Sequence, residues 1–133
     1  TPAPARDALW ADFDPALIQS RVKAGEVVLV DVTADWCLTC KVNKRLVLDT
    51  EAITALIGGD GVTAVRADWT NPDDRISRYL ASFGRYGIPF NAVYGPAAPD
   101  GIALPELLTV EAVLEAVNQA KGDQARGNGA RGG

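Results

Sequence analysis

The sequence predicts an α/β fold in which helices flank a central mixed sheet, with one extra helix at the N-terminal end. Two observations indicate this class: apolar strand-like runs alternate with helical patterns, and only a Pro/Gly loop separates the last two strand-like runs. The 133 residues are enough for one compact core and too few for two ordinary domains. We expect a linker over residues 1–12, one domain over residues 13–121 and a disordered tail over residues 122–133.

The first helix and strand have strong local signals. Asp14-Pro15 is a favourable helix start, because an N-cap oxygen precedes Pro at the first helical position, and Gly25 is expected to end the helix. The run from Val27 to Val32 is apolar except for Asp31, and its four valines are β-branched. Such a run is typical of a central strand that is buried on both faces.

The segment after this strand, residues 37–47, is predicted to be helical. Apolar residues repeat in it at four-residue spacing and form a stripe, while basic residues lie off the stripe. The stripe consists of Leu38, Val42 and Leu46, and the basic residues are Lys41, Lys44 and Arg45.

The second half of the chain continues the alternation. Asp100-Gly101 gives a turn signal between the last two strands, so we expect them to form an antiparallel hairpin. The predicted elements, in chain order, are a helix capped by Thr50 and ended by Gly58-Gly59, a strand over residues 62–69, a helix from Asn71-Pro72 to Gly84, a strand over residues 90–94, a strand near residues 102–108 and a helix capped by Thr109.

Composition excludes several kinds of chemistry. The chain has no His, which excludes Ser-His, Cys-His and His-metal mechanisms, and two Cys cannot complete a zinc site or an iron–sulfur site within one chain. A net charge of −4, without basic residues clustered beside aromatics, argues against a nucleic-acid partner. No apolar run reaches the roughly 20 residues of a membrane span, and no signal peptide is visible. Whether the chain is a processed protein or one domain of a larger protein stays open.

Cys37-Leu38-Thr39-Cys40 is a C-x-x-C motif between the buried strand and the next helix. At a helix N-terminus, unpaired backbone N–H groups and the positive end of the dipole stabilise a thiolate on Cys37. Lys41 and Lys44 add positive charge nearby. The Cys37 thiolate can attack a disulfide, and Cys40, one turn away, can then resolve the mixed disulfide.

The pair has several alternatives: a structural bridge, two buried thiols without chemistry, part of a metal site shared by two chains, and a copper-carrier motif. A bridge over so short a loop removes little chain entropy, and copper carriers usually have a neighbouring Met, which this chain lacks. We therefore interpret the pair as a redox-active disulfide that uses no metal and no other cofactor.

Asp31 is a carboxylate within a fully apolar strand. Burial there is costly unless the group is neutralised or paired, so we expect a raised pKa. A carboxyl of that kind is suited to moving a proton to or from Cys40. The alternative is that the strand twist turns Asp31 to a wet edge of the sheet.

Two of the other neighbours of the pair, Trp36 and Pro89, have two interpretations each. Trp36 either shields Cys37 from water or packs as a large apolar residue, and Asp35 is expected to be exposed and to modulate the local field. Pro89 follows Ile88 at a strand start, where Pro cannot donate to the sheet ladder. It is either an ordinary trans Pro or a cis Pro that leaves backbone groups free for an extended substrate, and the C-x-x-C context favours cis.

Four segments carry a resemblance to a known family. They are Val30-Asp31-Val32-Thr33, Ala34-Asp35-Trp36-Cys37-Leu38-Thr39-Cys40-Lys41, Ala67-Asp68-Trp69-Thr70-Asn71 and Tyr86-Gly87-Ile88-Pro89. Together they resemble the thioredoxin superfamily and, within it, the C-terminal thioredoxin-like domain of the DsbD/ScsB transmembrane thiol:disulfide reductases. The resemblance covers roughly residues 13–120 and implies a thioredoxin fold.

This resemblance implies a monomeric periplasmic domain tethered to an inner-membrane protein. Such a domain takes electrons from a transmembrane domain and passes them to periplasmic thioredoxin-like or other disulfide-bearing proteins. Position by position, the resemblance makes Cys37 the nucleophile, Cys40 the resolving thiol, Asp31 the buried acid and Pro89 the cis-proline. Where relatives have a Glu four residues after the second Cys, this chain has Lys44, which is expected to make the nucleophile more acidic.

Two other kinds of function stay open from the sequence. One is a free-standing thioredoxin-like reductant or a periplasmic thiol oxidase, because Leu38-Thr39 does not fix the reduction potential. The other is a non-enzymatic docking module of thioredoxin fold whose cysteines are incidental.

Overall fold

The structure, a computed structural model, describes residues 8–122. Residues 1–7 of the predicted linker and residues 123–133 of the predicted tail lie outside this range. The elements, in chain order, are β1 Trp10–Asp12, α1 Pro15–Lys23, β2 Val27–Thr33, α2 Leu38–Asn43, a π-helical turn Lys44–Leu48, α3 Glu51–Ile57, β3 Val62–Asp68, α4 Asp74–Ser82, β4 Phe90–Gly95, β5 Ala98–Ala103 and α5 Val110–Lys121.

The strands form one five-stranded sheet in the order β1-β3-β2-β4-β5. The first three of these run parallel, while β4 and β5 are antiparallel to their neighbours, so the predicted mixed sheet is confirmed. β1 was not predicted, since residues 10–12 fall in the expected linker but pair with Ala64–Arg66 of β3. A three-residue strand is too short to show an alternating pattern in the sequence.

Helices cover both faces of the sheet, and alternate residues of β2 face opposite sides. Val27 and Leu29 pack toward α3, α5 and the π turn, while Val28 and Val30 pack toward α1 and α4. The predicted central strand buried on both faces is therefore confirmed. Asp31 alternates with Val27 and Leu29, so its side chain lies on the same face as the π turn.

Most helices begin where the caps predict. Asp14, Thr50 and Thr109 each accept a backbone N–H bond at the start of α1, α3 and α5. α4 begins later than predicted from Asn71-Pro72, because Asp73 is the residue that accepts the first amides of that helix. None of the helices within residues 8–122 is both long and apolar enough to cross a membrane.

The predicted helix over residues 37–47 consists of two parts, α2 and the π turn. The side of α2 that packs on the protein is not the apolar stripe. Ordinarily the apolar stripe of an amphipathic helix faces the core. Here the buried residues are Cys40, Asn43, Val47 and Leu48, while Leu38, Val42 and Leu46 are exposed.

The hairpin turn lies at Pro96-Ala97 and not at Asp100-Gly101, as the sequence predicts. β5 therefore begins before the predicted range of 102–108. Gly101 lies within β5, and two features of that position require glycine. Its φ is +93°, and a Cβ there would lie 2.9 Å from the Tyr94 ring. The Asp-Gly signal thus belongs to an irregular stretch of the β4–β5 ladder.

Candidate active site

Cys37 and Cys40 form a disulfide at the start of α2, with their Cα atoms 5.2 Å apart. Cys37 is the N-cap residue of α2, and its Sγ accepts the backbone N–H of Cys40 at 3.1 Å. Both cysteines are buried, and Ala34 and Ile88 pack with them. Because an amide of the first helical turn points at Cys37 Sγ, the same geometry stabilises a thiolate there after reduction.

Hydrogen bonds from another strand end fix the loop before Cys37. Asp35 N donates to Thr70 Oγ1 at 2.9 Å, and Trp36 Nε1 donates to Thr70 O at 3.2 Å. Thr70 is fixed in turn by Asp68, whose Oδ1 accepts Thr70 N at 2.9 Å. In the sequence, Asp68 and Thr70 stand out only as part of a segment that resembles a known family. A contact across about 35 residues leaves no local signal.

An open groove adjoins the cysteines on the side of Ile88 and Pro89, whose peptide bond is cis. The groove has a volume of about 490 Å³, and Trp36, Trp69, Tyr86 and Ile88 are among its lining residues. Trp36 is 59% exposed, so it does not pack as a core residue. The groove is therefore a mainly apolar surface next to Ile88, which packs with both cysteines.

Asp31 is buried in β2, 4% exposed, and its carboxylate lies between two polar neighbours from the adjacent strands. In the strand register it is paired with Asn91 of β4 and with Arg66 of β3. Asn91 Nδ2 donates to Asp31 Oδ1 at 2.8 Å, and Arg66 Nε lies 3.5 Å from Asp31 Oδ2. Cys40 Sγ lies 4.0 Å from the carbonyl oxygen of Val32, the residue after Asp31.

The pKa of Asp31 is raised, as its place in an apolar strand predicts. Burial is the largest cause, and Arg66, Asn91 and Lys44 act in the opposite direction. The sequence does not identify Arg66 or Asn91, because strand register brings them to Asp31 and neither stands near it in the chain. Arg66 is held in place by a stacking contact as well, 4.3 Å over the Trp10 ring.

A crevice of about 250 Å³ that is lined mostly by charged residues opens beside α2 and reaches Arg66, the partner of Asp31. Lys44 lines the crevice, and its Nζ lies 2.9 Å from Asp49 Oδ2, so its charge is partly neutralised. The other charged residues that line it are Lys41, Asp35 and Asp68. Of the residues expected to modulate the site, Asp35 is exposed, as predicted.

No part of the described chain offers a metal site. Within residues 8–122, no three His, Cys, Asp or Glu side chains are grouped so that they could hold a metal ion.

Comparison with known proteins gives two kinds of similarity in sequence. The thioredoxin-like family pattern matches residues 9–96. The thiol:disulfide interchange protein DsbD 1 of Pseudomonas aeruginosa is 31% identical over 90 residues, which are 68% of this chain. The matched segment spans only 15% of the length of that protein.

Solved structures are similar over most of the chain. The C-terminal domain of DsbD from Neisseria meningitidis superimposes in its reduced form with a TM-score of 0.62 at 20% identity, covering 83% of this chain and 99% of that domain. Its oxidised form has a TM-score of 0.61 at 21% identity, covering 79% and 90%. A thioredoxin from Thermus thermophilus has a TM-score of 0.61 at 16% identity, covering 91% and 95%.

Proposed function

The chain belongs to the thioredoxin-like family and is a thiol–disulfide oxidoreductase domain of thioredoxin fold, and from this premise we propose that it is a protein-disulfide reductase. The observation that carries the proposal is the Cys37–Cys40 disulfide at the N-terminus of α2, beside an apolar groove. A nucleophile with a resolving thiol one turn away is what dithiol exchange requires.

In the first step, the Cys37 thiolate of the reduced domain attacks one sulfur of a partner disulfide. A Cys37–partner S–S bond forms, the partner S–S bond breaks, and the partner's other sulfur leaves as a thiolate that takes up a proton. The hydrogen bond from Cys40 N supports the attacking thiolate, because it stabilises the charged form of the sulfur.

In the second step, Cys40 resolves the mixed disulfide. Asp31 accepts the Cys40 proton, the Cys40 sulfur attacks Cys37 Sγ, and the partner's remaining sulfur leaves as a thiolate. Two electrons have then passed to the partner, and the Cys37–Cys40 disulfide is restored. The raised pKa of Asp31 supports its role as proton acceptor, and the crevice lined by Arg66, the ion-pair partner of Asp31, supports proton exchange with solvent.

We propose that this exchange is one step of an electron relay. A membrane-embedded domain of the same or an associated reductase would reduce the Cys37–Cys40 pair, and periplasmic protein disulfides would receive the electrons. The identity of 31% with a thiol:disulfide interchange protein supports this place in a relay. The two sulfurs carry both electrons, so the reaction uses no other cofactor.

Trapping of the mixed disulfide tests the proposed reductase. The reduced Cys40→Ser variant is mixed with insulin, whose disulfides serve as the probe, and the products are separated under non-reducing conditions. We expect a covalent adduct through Cys37 with Cys40→Ser. With the reduced wild type we expect insulin reduction in which its own dithiol supplies the electrons and becomes the Cys37–Cys40 disulfide.

Cys37→Ser is the matched variant, and we expect neither adduct nor reduction from it. Full insulin reduction by Cys37→Ser would contradict the assignment of the nucleophile. A wild type that leaves insulin disulfides intact would contradict the proposed reductase.

A further inference from the structure

We infer that the exposed stripe of α2 is a docking surface for a partner protein that presents an apolar segment flanked by carboxylates beside its disulfide. The stripe is formed by Leu38, Val42 and Leu46, whose exposed fractions are 77%, 46% and 65%. Its role rests on the proposed function, since the docked protein is the one whose disulfide Cys37 attacks.

The stripe begins at the redox pair itself. Leu38 follows Cys37 directly, and Val42 and Leu46 continue along the same side at four-residue spacing. At a rise of about 1.5 Å per residue, the stripe extends roughly 12 Å away from the motif. A partner segment that lies along it therefore continues straight to the point where a partner sulfur reaches Cys37.

The core of the protein does not use these side chains. α2 and the π turn pack through their opposite side, where Cys40 and Val47 are buried. Asn43 ties that side to the loop before α5, because its Nδ2 donates to Glu106 O at 2.7 Å and its Oδ1 accepts Leu108 N at 3.1 Å. Three large apolar side chains in one exposed row are typical of a surface that associates.

The charges beside the stripe favour an acidic partner. Lys41 and Arg45 are both exposed on α2 and the π turn, although the chain as a whole has a net charge of −4. Carboxylates next to the partner's apolar segment would pair with these cations, and lysines in the same places would be repelled.

An anionic lipid surface also combines apolar groups with negative charge, but the observations favour a protein as the partner. The stripe itself contains no aromatic residue of the kind that anchors helices at a membrane interface. A membrane on the stripe would also lie against Leu38, inside the C-x-x-C motif, and would cover the sulfurs that must reach a protein disulfide.

The test uses three disulfide substrates with the reduced protein. Two synthetic peptides each carry a Leu-rich segment beside a disulfide, and the segment is flanked by Asp and Glu in one peptide and by Lys in the other. The disulfide of 2-mercaptoethanol is the third substrate and reports the chemistry without docking. The variant is Val42→Ser with Leu46→Ser, and Leu114→Ser on α5, also an exposed leucine, is its matched control.

We expect the double variant to lower the second-order rate constant for single-turnover reduction of the acidic peptide about tenfold, which corresponds to about 1.4 kcal/mol of activation free energy. Leu114→Ser should match the wild type on all three substrates, and all proteins should reduce the small disulfide equally. Arg45→Glu should slow the acidic peptide and accelerate the basic one.

Two results would overturn the docking surface alone. One is an equal second-order rate constant of the wild type and the double variant for the acidic peptide, with the small disulfide still reduced. The other is co-sedimentation of the wild type, and not of the double variant, with phosphatidylglycerol vesicles, which would assign the stripe to a membrane. A wild type that fails to reduce even the small disulfide would overturn the proposed reductase and the docking surface with it.

Discussion

Asp31 and Asn91 are paired in the antiparallel register of β2 and β4, and the Asn91 amide donates to the Asp31 carboxylate at 2.8 Å. Arg66 holds the other carboxylate oxygen from β3. Both neighbours favour the charged form of Asp31, while burial disfavours it more strongly, so the pKa stays raised. In the proposed mechanism, the balance between these opposing effects sets the pH at which Asp31 accepts a proton from Cys40.

Asn91→Ala should raise the pKa of Asp31 further, because it removes a hydrogen bond that stabilises the carboxylate. Titration of the Asp31 carboxyl carbon by NMR measures the shift, and the pH profile of disulfide reduction should move to higher pH with it. Asn118→Ala on α5, where the amide is exposed, is the control and should change neither. An Asp31 pKa that stays the same or falls in Asn91→Ala would contradict the assignment.

Asp31→Asn should gain stability relative to the wild type as the pH rises. Burial raises the folded-state pKa of Asp31 above its ordinary 3.8, so between those two pKa values the unfolded chain releases a proton that the folded chain retains. The wild type therefore loses free energy of unfolding relative to Asp31→Asn through this interval, and the difference is constant at higher pH. Urea unfolding of both proteins at a series of pH values measures how far the free energy of unfolding of Asp31→Asn exceeds that of the wild type. An excess that shrinks with rising pH would contradict the raised pKa of Asp31.

Thr70→Val should loosen the loop that carries Asp35 and Trp36. The substitution keeps the shape of the side chain but removes the hydroxyl that accepts Asp35 N. We expect a loss of about 1 kcal/mol in free energy of unfolding and faster hydrogen exchange of the Asp35 amide.

Thr63→Val is the matched control for this loop, because its hydroxyl bonds to Glu26, away from the cysteines. It should cost a similar free energy of unfolding without changing the exchange of the Asp35 amide. Equal exchange rates in Thr70→Val and the wild type would show that Thr70 does not hold the loop.

Lys44→Glu should raise the pKa of the Cys37 thiol, since it replaces a cation near the thiolate by an anion. The pairing of Lys44 with Asp49 weakens the cation's effect in the wild type. Asp49→Asn therefore serves as the opposite change and should lower the same pKa. Thiolate absorbance against pH measures both variants, and three identical titration curves would dispose of the proposed effect of Lys44.

The sequence predicts those parts of the fold that have local signals. Caps such as Asp14 and Thr109 are set by bonds within one helical turn, and the burial of Asp31 follows from its apolar strand. The three-residue β1 is too short for such a signal, and the π turn has no sequence pattern of its own. The Asp100-Gly101 signal predicts a turn where the structure has an irregular ladder position, because both need the same backbone freedom of Gly.

The residues of the candidate site also differ in whether the sequence can identify them. The two cysteines stand in one short motif and can be identified from it, whereas Asn91, Arg66 and Thr70 reach the site through strand register and long-range contacts. The exposed side of α2 could not be predicted either. Spacing identifies an apolar stripe, but it does not show that the opposite side of the helix is buried, where Asn43 bonds to the loop before α5.

The reduction potential of the Cys37–Cys40 pair tests the central claim most directly. The protein is equilibrated with defined thiol buffers, free thiols are trapped, and the fraction reduced is fitted against the buffer potential. A reductase that donates electrons should have a value close to that of thioredoxin, about −270 mV. A value close to that of DsbA, about −120 mV, would mean that the domain forms disulfides, and it would contradict the electron relay.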